Sequence, residues 1–574
     1  MVKLRSILLQ ICASILALFL WGGVVWAVET DPPGVIPQPE PAVGPTSARF
    51  VPGTTPLMIS LLGNSTPLKV LGNETEGSAP QLTDLPTQLL AGAGINYRED
   101  IRPWVSDELT FALTAFDQDP GQSGTQPGYL LVVKTRSSKD ADAFLESFWQ
   151  RQVAAGRILR FERSAGVDII AAEVSSANTA ALLPPIFKPI EDLITAKVEE
   201  RFVLVANQNL VLQQAIATLK NPTQQLAQQP NYQKAIATFT AKQPEGIAYL
   251  NLATLIPEIT GKPTVTAPTY ASLGVAFGES RQGLLAETAL VAHPERQLPS
   301  VAANQLEPPP SLSYFPGNSP LVVSGAHLGK LWVQISQDLQ GYPGIQSWVN
   351  QALDTWGKTR GVNLTNKIFP WVDGGYAWAL LPHSLSPVLS AQSDPDPDWL
   401  FAYEQTQSDP SKQLAKYLNE LASQQDLGTS PFELAGHKVF AWTRLVSEKM
   451  DSSQGRENLT FKTKVTGAYA DLDNQKVLAS SPEALGLGLE AGNGALINQR
   501  QFQEAIAPFD QPNQGFLYLD WPIMKPLLEQ NLPFLPQLKK SAPSLFNKLH
   551  TLSVSSYGET PDVQHSQWYF RFSG

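Results

Sequence analysis

The chain has 574 residues, 43% of them hydrophobic and 16% charged, with a formal net charge of -11. That length and apolar content suffice for two large cores, and an acidic surface with no basic run excludes a nucleic-acid partner, because phosphate backbones would be repelled. The single cysteine, Cys12, lies in the N-terminal apolar run, so the body has no disulfide and no thiol nucleophile and suits an oxidising compartment.

Residues 1–27 read as a signal peptide or an N-terminal membrane anchor. Lys3 and Arg5 precede an apolar run over 7–27, and Val25-Trp26-Ala27 offers small side chains at two cleavage positions. The run is also about 20 residues long, enough to span a bilayer, so an uncleaved leader would tether the body outside the positive end. Gln10-Ile11 before Cys12 argues against a lipoprotein signal, which needs a small residue there. Residues 28–47 form a Pro-rich linker (Pro32, Pro33, Pro37, Pro39, Pro41, Pro45), extended and semi-rigid.

Residues 48–293 predict an α+β repeat. Phe50-Val51-Pro52-Gly53 opens it, and Gly94-Ile95-Asn96 leads through Ile101 to Pro103-Trp104-Val105. Leu109, Phe111 and Leu113 alternate as in a half-buried strand, and Tyr129 to Val133 is a second strand. Ala141, Phe144, Leu145, Phe148 and Trp149 fall at helical spacing. A short strand follows Gly166, over 167–174. Val203 to Ala206 runs into a helix, and Tyr232, Ala235, Ile236 and Phe239 mark another. Gly246 leads a strand, and Gly278-Glu279 belongs to a final hairpin.

A second Pro-rich linker spans 294–311, with Pro308-Pro309-Pro310 at its end. Residues 312–574 then repeat the first series in order. Tyr314-Phe315-Pro316-Gly317 answers the opening, and Gly361-Val362-Asn363 leads through Ile368 to Pro370-Trp371-Val372 at unchanged spacing. Tyr376, Trp378 and Leu380, then Trp399 to Tyr403, answer the two strands. Leu414, Tyr417, Leu418 and Leu421 answer the helix. Gly436 leads a strand over 437–445, and Val477 to Ser480, Phe502 to Phe509, Gly515 and Gly558-Glu559 complete the match. A period this long is a duplicated domain rather than a solenoid unit. The fold class is therefore α+β: two tandem homologous domains, each a mainly antiparallel sheet with packed helices. Trp568, Phe570 and Phe572 alternate like an outer-membrane strand, but the amphipathic helices exclude a barrel.

Chemistry-bearing motifs fail one by one. His293, His327, His383, His437, His550 and His565 show no metal-ligand spacing. Gly357-Lys358-Thr359 ends like a phosphate loop, but Ala352 replaces the upstream glycine. Asp394, Asp396 and Asp398 alternate with prolines, and Trp399 and Gln405 stand where a calcium loop needs glycine and glutamate. Asp471-Leu472-Asp473-Asn474 reads as a hairpin turn. Trp104 and Trp371 read as core plugs rather than stacking platforms, and Asn96 and Asn363 as caps or turns. No catalytic, cofactor-binding or metal residue is assigned, and no cofactor is expected.

The Phe-x-Pro-Gly-x-x-Pro-Leu opening, the Gly-Ile-Asn-x4-Ile-x-Pro-Trp-Val block and the leader together resemble an uncharacterised domain-of-unknown-function family of exported proteins common in cyanobacteria. The resemblance covers most of the body in both copies. It implies export to the periplasm or thylakoid lumen and supplies no activity. The leading expectation is a non-enzymatic binding, scaffold or envelope-maintenance protein. Its partner would be an envelope or lumenal protein or polymer, with membrane contact only through residues 7–27. The alternatives are a carrier or chaperone for an apolar ligand, and a carboxylate-based hydrolase of envelope polymers.

Overall fold

The computed structural model describes residues 44–63, 95–117, 127–172, 193–241, 244–260, 263–265, 267–298, 301–302, 308–360, 363–381, 398–406, 409–451, 457–510, 512–531 and 543–572. The leader, most of the first linker, Gly94, Gly361, Val362, His383, Asp394 and Asp396 lie outside them.

In the first half the chain forms β1 (Leu57–Leu62), β2 (Val105–Ala115), β3 (Gly128–Thr135), α1 (Ser138–Ala154), β4 (Leu159–Ser164), β5 (Val167–Ala172), β6 (Ile194–Val198), β7 (Phe202–Ala206), α2 (Asn209–Lys220) and α3 (Pro230–Thr238). Then come β8 (Gly246–Asn251), α4 (Leu252–Thr260) and the hairpin of β9 (Tyr270–Ser280) and β10 (Gly283–Ala292). The second half contains β11 (Val301–Ala302), β12 (Leu321–Ala326), α5 (Leu328–Gln340), α6 (Pro343–Arg360), β13 (Gly375–Leu380), β14 (Trp399–Glu404), α7 (Asp409–Gln424), β15 (Gly428–Leu434), β16 (His437–Asp451) and β17 (Glu457–Leu472). It ends with β18 (Gln475–Ala479), α8 (Pro482–Leu489), α9 (Arg500–Ile506), β19 (Gly515–Asp520), α10 (Trp521–Asn531), α11 (Pro543–Lys548), β20 (Leu549–Glu559) and β21 (Val563–Phe572).

The strand pairings make one antiparallel sheet in the order β4-β5-β6-β7-β3-β2-β1-β8-β9-β10-β21-β20-β19-β12-β13-β14-β18-β17-β16-β15. The short β11 adds to the end of β20. Each half contributes the same order read inward from its own edge. The expectation of a sheet per half is thereby refined, because the last strands of the halves, β10 and β21, pair over Gly283↔Arg571 to Val291↔Val563. Strand β16 also runs past the predicted 437–445, paired with β17 as far as Asp451↔Glu457.

Local chemistry explains several of these elements, and some of it recurs in both halves. Ser137 caps α1, accepting the Asp140 N–H at 3.2 Å, and Ser481 caps α8, accepting the Ala484 N–H at 3.1 Å. A rare π-helical turn precedes each Pro-Trp-Val block, at Tyr97–Ile101 and at Leu364–Ile368. Pro52-Gly53 and Pro316-Gly317 each lie against a glutamine-anchored loop. Gly53 N–H donates to Gln224 O at 2.8 Å and Gly317 N–H to Gly494 O at 2.9 Å. A Cβ on either glycine would come within 2.6 Å of the Gln229 or Gln499 side chain, so any larger residue would have to displace that glutamine.

Helices cover both faces of the sheet. On one face, α2 and α3 bury Leu212, Ile216, Tyr232 and Ile236 against Met58, Leu130 and Leu204. The α8–α9 layer does the same in the second half, with Leu485 and Phe502 against Val322, Ala402 and Val477. On the other face, α1 packs Phe148 and Trp149 against Phe111, Leu131 and Val205. The remaining core is shared: Leu252, Ile256, Tyr270 and Leu290 of the first half meet Leu331, Ile335, Leu339 and Tyr342 of the second. The linker between the halves is docked in part, with Leu298 buried and its N–H on Pro561 O at 2.9 Å.

Candidate functional site at the seam

The β10–β21 pairing carries the most elaborate polar cluster in which both halves take part. The offset that carries Gly278 to Gly558 also carries Glu287 to Gln567, and these two residues face each other across the seam. Matching positions therefore meet themselves at that point. Both side chains are buried on the face covered by α3 and α9.

Each side chain is held by the residue just past its own half's helix. Glu287 accepts the Thr240 N–H and hydroxyl, both at 2.7 Å. Gln567 donates through Nε2 to Asp510 Oδ2 at 2.8 Å, and its Oε1 accepts the Tyr557 hydroxyl at 2.8 Å. The carboxylate lies on the strand in the first half and beyond the helix in the second, so hydrogen-bonding polarity is reversed while the contact is kept. His565 Nε2 lies 3.7 Å from Glu287 Oε2, beyond a hydrogen bond but within ion-pair range when protonated, and its ring packs on Tyr557 at 5.4 Å.

Burial pushes the Glu287 carboxyl up, but His565 and the Thr240 donors outweigh it and hold the group below the usual glutamate range. A carboxylate stabilised in this way is a weak base, suited to holding charge rather than to taking protons. Burial, with Asp510 next in effect, pushes the Tyr557 hydroxyl well above its ordinary value, so it remains a donor. Lys234 of α3 reaches Asp562 at 2.8 Å, and Arg571 of β21 pairs with Glu504 of α9. Of these contacts, Lys234–Asp562 and the His565–Glu287 approach cross between the halves and add to the strand ladder, while the others lie within one half.

The sequence-predicted residues are dispersed. Trp104 is 2% exposed, donates to Asp100 O at 2.6 Å and meets Phe144 at 5.5 Å, as a plug should. Trp371 meets Tyr417 at 5.3 Å but is only half-buried, with Lys367 over its ring at 5.5 Å. Asn363 caps a turn by accepting the Asn366 N–H at 3.0 Å, and the Asn96 N–H reaches Asp100 at 2.8 Å. Gly357-Lys358-Thr359 lies within α6, and Asp473-Asn474 joins β17 to β18. Asp398 accepts the Ser480 hydroxyl at 2.6 Å, and Asp471 accepts Lys476 and Gln405, at 2.8 and 2.9 Å. His327 contacts Asp373 at 3.0 Å and His550 contacts Gln501 at 3.3 Å. No group of three or more potential metal ligands gathers among the described residues.

Sequence reasoning missed the seam cluster and a second buried group, Asp338. One signal was present for each: Glu287 interrupts the apolar Leu284-Leu285-Ala286 and Ala289-Leu290-Val291 runs, and Asp338 stands one residue before Leu339 in an amphipathic helix.

A model of the family described as "Protein of unknown function (DUF3352)" matches residues 10–572. No curated protein matches the chain. Among solved structures, crystal form I of TP0453 is similar at 10% identity and a TM-score of 0.24, covering 45% of this chain and 82% of that one. Crystal form III of TP0453 gives 13% identity and a TM-score of 0.25, covering 44% and 82%. A likeness at that TM-score supports no argument about this chain.

Proposed function

The chain belongs to the DUF3352 family of proteins of unknown function, and from that premise we propose that it is an exported, non-enzymatic binding or scaffold protein built from two tandem homologous α+β domains. The observation that carries this reading is the single sheet through both halves, with matching strand order and a shared core. Two domains fused edge to edge over nine paired positions favour a rigid platform over a pair of jaws closing on a substrate. The seam's ionisable groups favour the same reading, since Glu287 is held as a weak base and its neighbours serve the joint. The leader's charge and apolar pattern supports export, cleaved near Ala27 or kept as a tether.

Cell fractionation with N-terminal sequencing tests the export half of the proposal. Mature protein outside the cytoplasm, beginning near Val28 or retaining the leader in membranes, is expected. Full-length protein in the soluble cytoplasm would overturn export. Cross-linking of the tagged protein in its own host, followed by mass spectrometry, tests the scaffold half. A reproducible envelope or lumenal partner supports it. Turnover of envelope polymers by the purified protein, abolished by a carboxylate substitution, would replace it with the hydrolase reading.

A further inference from the structure

Helix α5 of the second half lies across the first, and its last turn carries a buried carboxyl. Leu331, Ile335 and Leu339 of α5 enter the shared core beside Leu252, Leu290 and Ala292. Gly341 follows closely enough that a Cβ would come within 2.9 Å of the Pro268 Cα, and the Val265 N–H donates to Gly341 O at 3.2 Å. Tyr342 completes the dock: its hydroxyl donates to Tyr270 O and accepts the Tyr270 N–H at 3.1 Å.

Asp338, 5% exposed, sits in the middle of this contact. The Tyr270 hydroxyl lies 3.0 Å from Asp338 Oδ2 and 2.9 Å from Gln564 Oε1 of β21. A tyrosine hydroxyl has one hydrogen to give, and here it faces two acceptors. A proton on Asp338 satisfies both contacts, the carboxyl donating to the tyrosine oxygen and the tyrosine to Gln564. A turned Gln564 amide would satisfy them too, but would leave a buried carboxylate charged without a cationic partner.

The groups facing Asp338 are uncharged at neutral pH. They are Tyr270 and Thr269 at the start of β9, Tyr342 after α5, and Gln564 on β21. The His293 imidazole accepts the Glu295 N–H at 3.3 Å, and Arg296 Nε donates to Ala267 O at 3.2 Å, so both side chains engage backbone instead. Burial accordingly pushes the Asp338 carboxyl up to about 7, against the lowering effect of the Tyr270 and Thr269 hydroxyls.

We propose that Asp338 is a protonation latch: the neutral carboxyl holds α5 onto the first half, and loss of its proton loosens that dock. The sign follows from linkage. The folded chain binds this proton more tightly than the unfolded chain does, so the stability it confers is full below the ordinary aspartate range and is lost as pH rises through about 7.

Thermal unfolding of the full chain and of Asp338→Asn, between about pH 5 and about pH 8, tests this. The asparagine keeps the shape without the titration. The gap in melting temperature should grow as pH rises from about 5 and level off once pH passes about 7, with the variant more stable at the alkaline end. Hydrogen exchange should show α5 amides losing protection over that range in the wild type and keeping it in the variant, after correction for base-catalysed exchange. A gap independent of pH, or equal protection in both, overturns the latch. Should Asp338→Asn fail to fold, Tyr270→Phe strips the ionised carboxyl of its donor and should move upward the pH at which the loss of stability levels off; an unmoved levelling-off overturns the proposal.

Discussion

Thr110 and Ala377 occupy the same place in the two halves, each across from a buried serine: Ser60↔Thr110 and Ser324↔Ala377. Thr110 bonds Ser60 at 2.6 Å and Ser47 at 2.5 Å, and Glu108 beside it accepts the Thr46 and Ser47 N–H groups. In the second half the matching Ser311 and Ser324 hydroxyls are buried without a partner. They are placed like Ser47 and Ser60, but no hydroxyl stands at Ala377 to join them. Ala377→Thr should therefore stabilise the protein by about 1 kcal/mol, whereas Thr110→Ala should cost about 1–3 kcal/mol by orphaning two hydroxyls. Denaturant melts decide it, and a destabilised Ala377→Thr would mean that packing there leaves no room for the oxygen. The tryptophans differ in a similar way. Trp104→Ala should cost about 3–5 kcal/mol, and Trp371→Ala less because its ring is only partly buried. Equal losses in calorimetry would contradict the burial difference.

At the scale of elements, the seam joins strands that sequence alone could not pair. Alternation at Trp568, Phe570 and Phe572 marks β21 as a strand and the hairpin at Gly278-Glu279 leads into β10, yet register between segments far apart in the chain leaves no local mark. The repeated elements were legible for the opposite reason: Gly53, Gly317 and the Pro-Trp blocks answer local backbone demands that each half must meet independently. Polar groups such as Asp338 were not legible, because a lone carboxylate on a helix reads as solvated until the other half is seen to cover it. The seam also makes a pH prediction opposite in sign to that of α5. Glu287 is held below its ordinary range, so its contribution is present above the unfolded glutamate value and is lost as pH falls through the folded one. Glu287→Gln should flatten part of the acid-side loss of stability while keeping Thr240 bonded. An acid limb identical to wild type in urea titrations would show that the carboxylate charge does no such work.

For the whole molecule, the shared sheet and core predict that the halves fold as one cooperative body. Residues 44–298 made alone would expose the β10 edge and lose the α5 side of the core, as residues 308–574 would lose the first half's side. Co-expressed halves should purify as a one-to-one complex, and the first half alone should self-associate. Two monomeric fragments, each melting like the intact chain, would refute the joint. Under the proposed duplication, the seam has an ancestral meaning. An antiparallel pair in which one matching position meets itself, with residue i facing j and j facing i on either side of it, is the contact of a two-fold homodimer. A glutamate at the position of Glu287 would there have faced another glutamate, two buried like charges at the axis. Fusion into one chain lifted the requirement of identity, letting one partner become Gln567 and the charge survive on one side only. The linker between the halves thus did more than tether two domains: it freed an interface from its own symmetry.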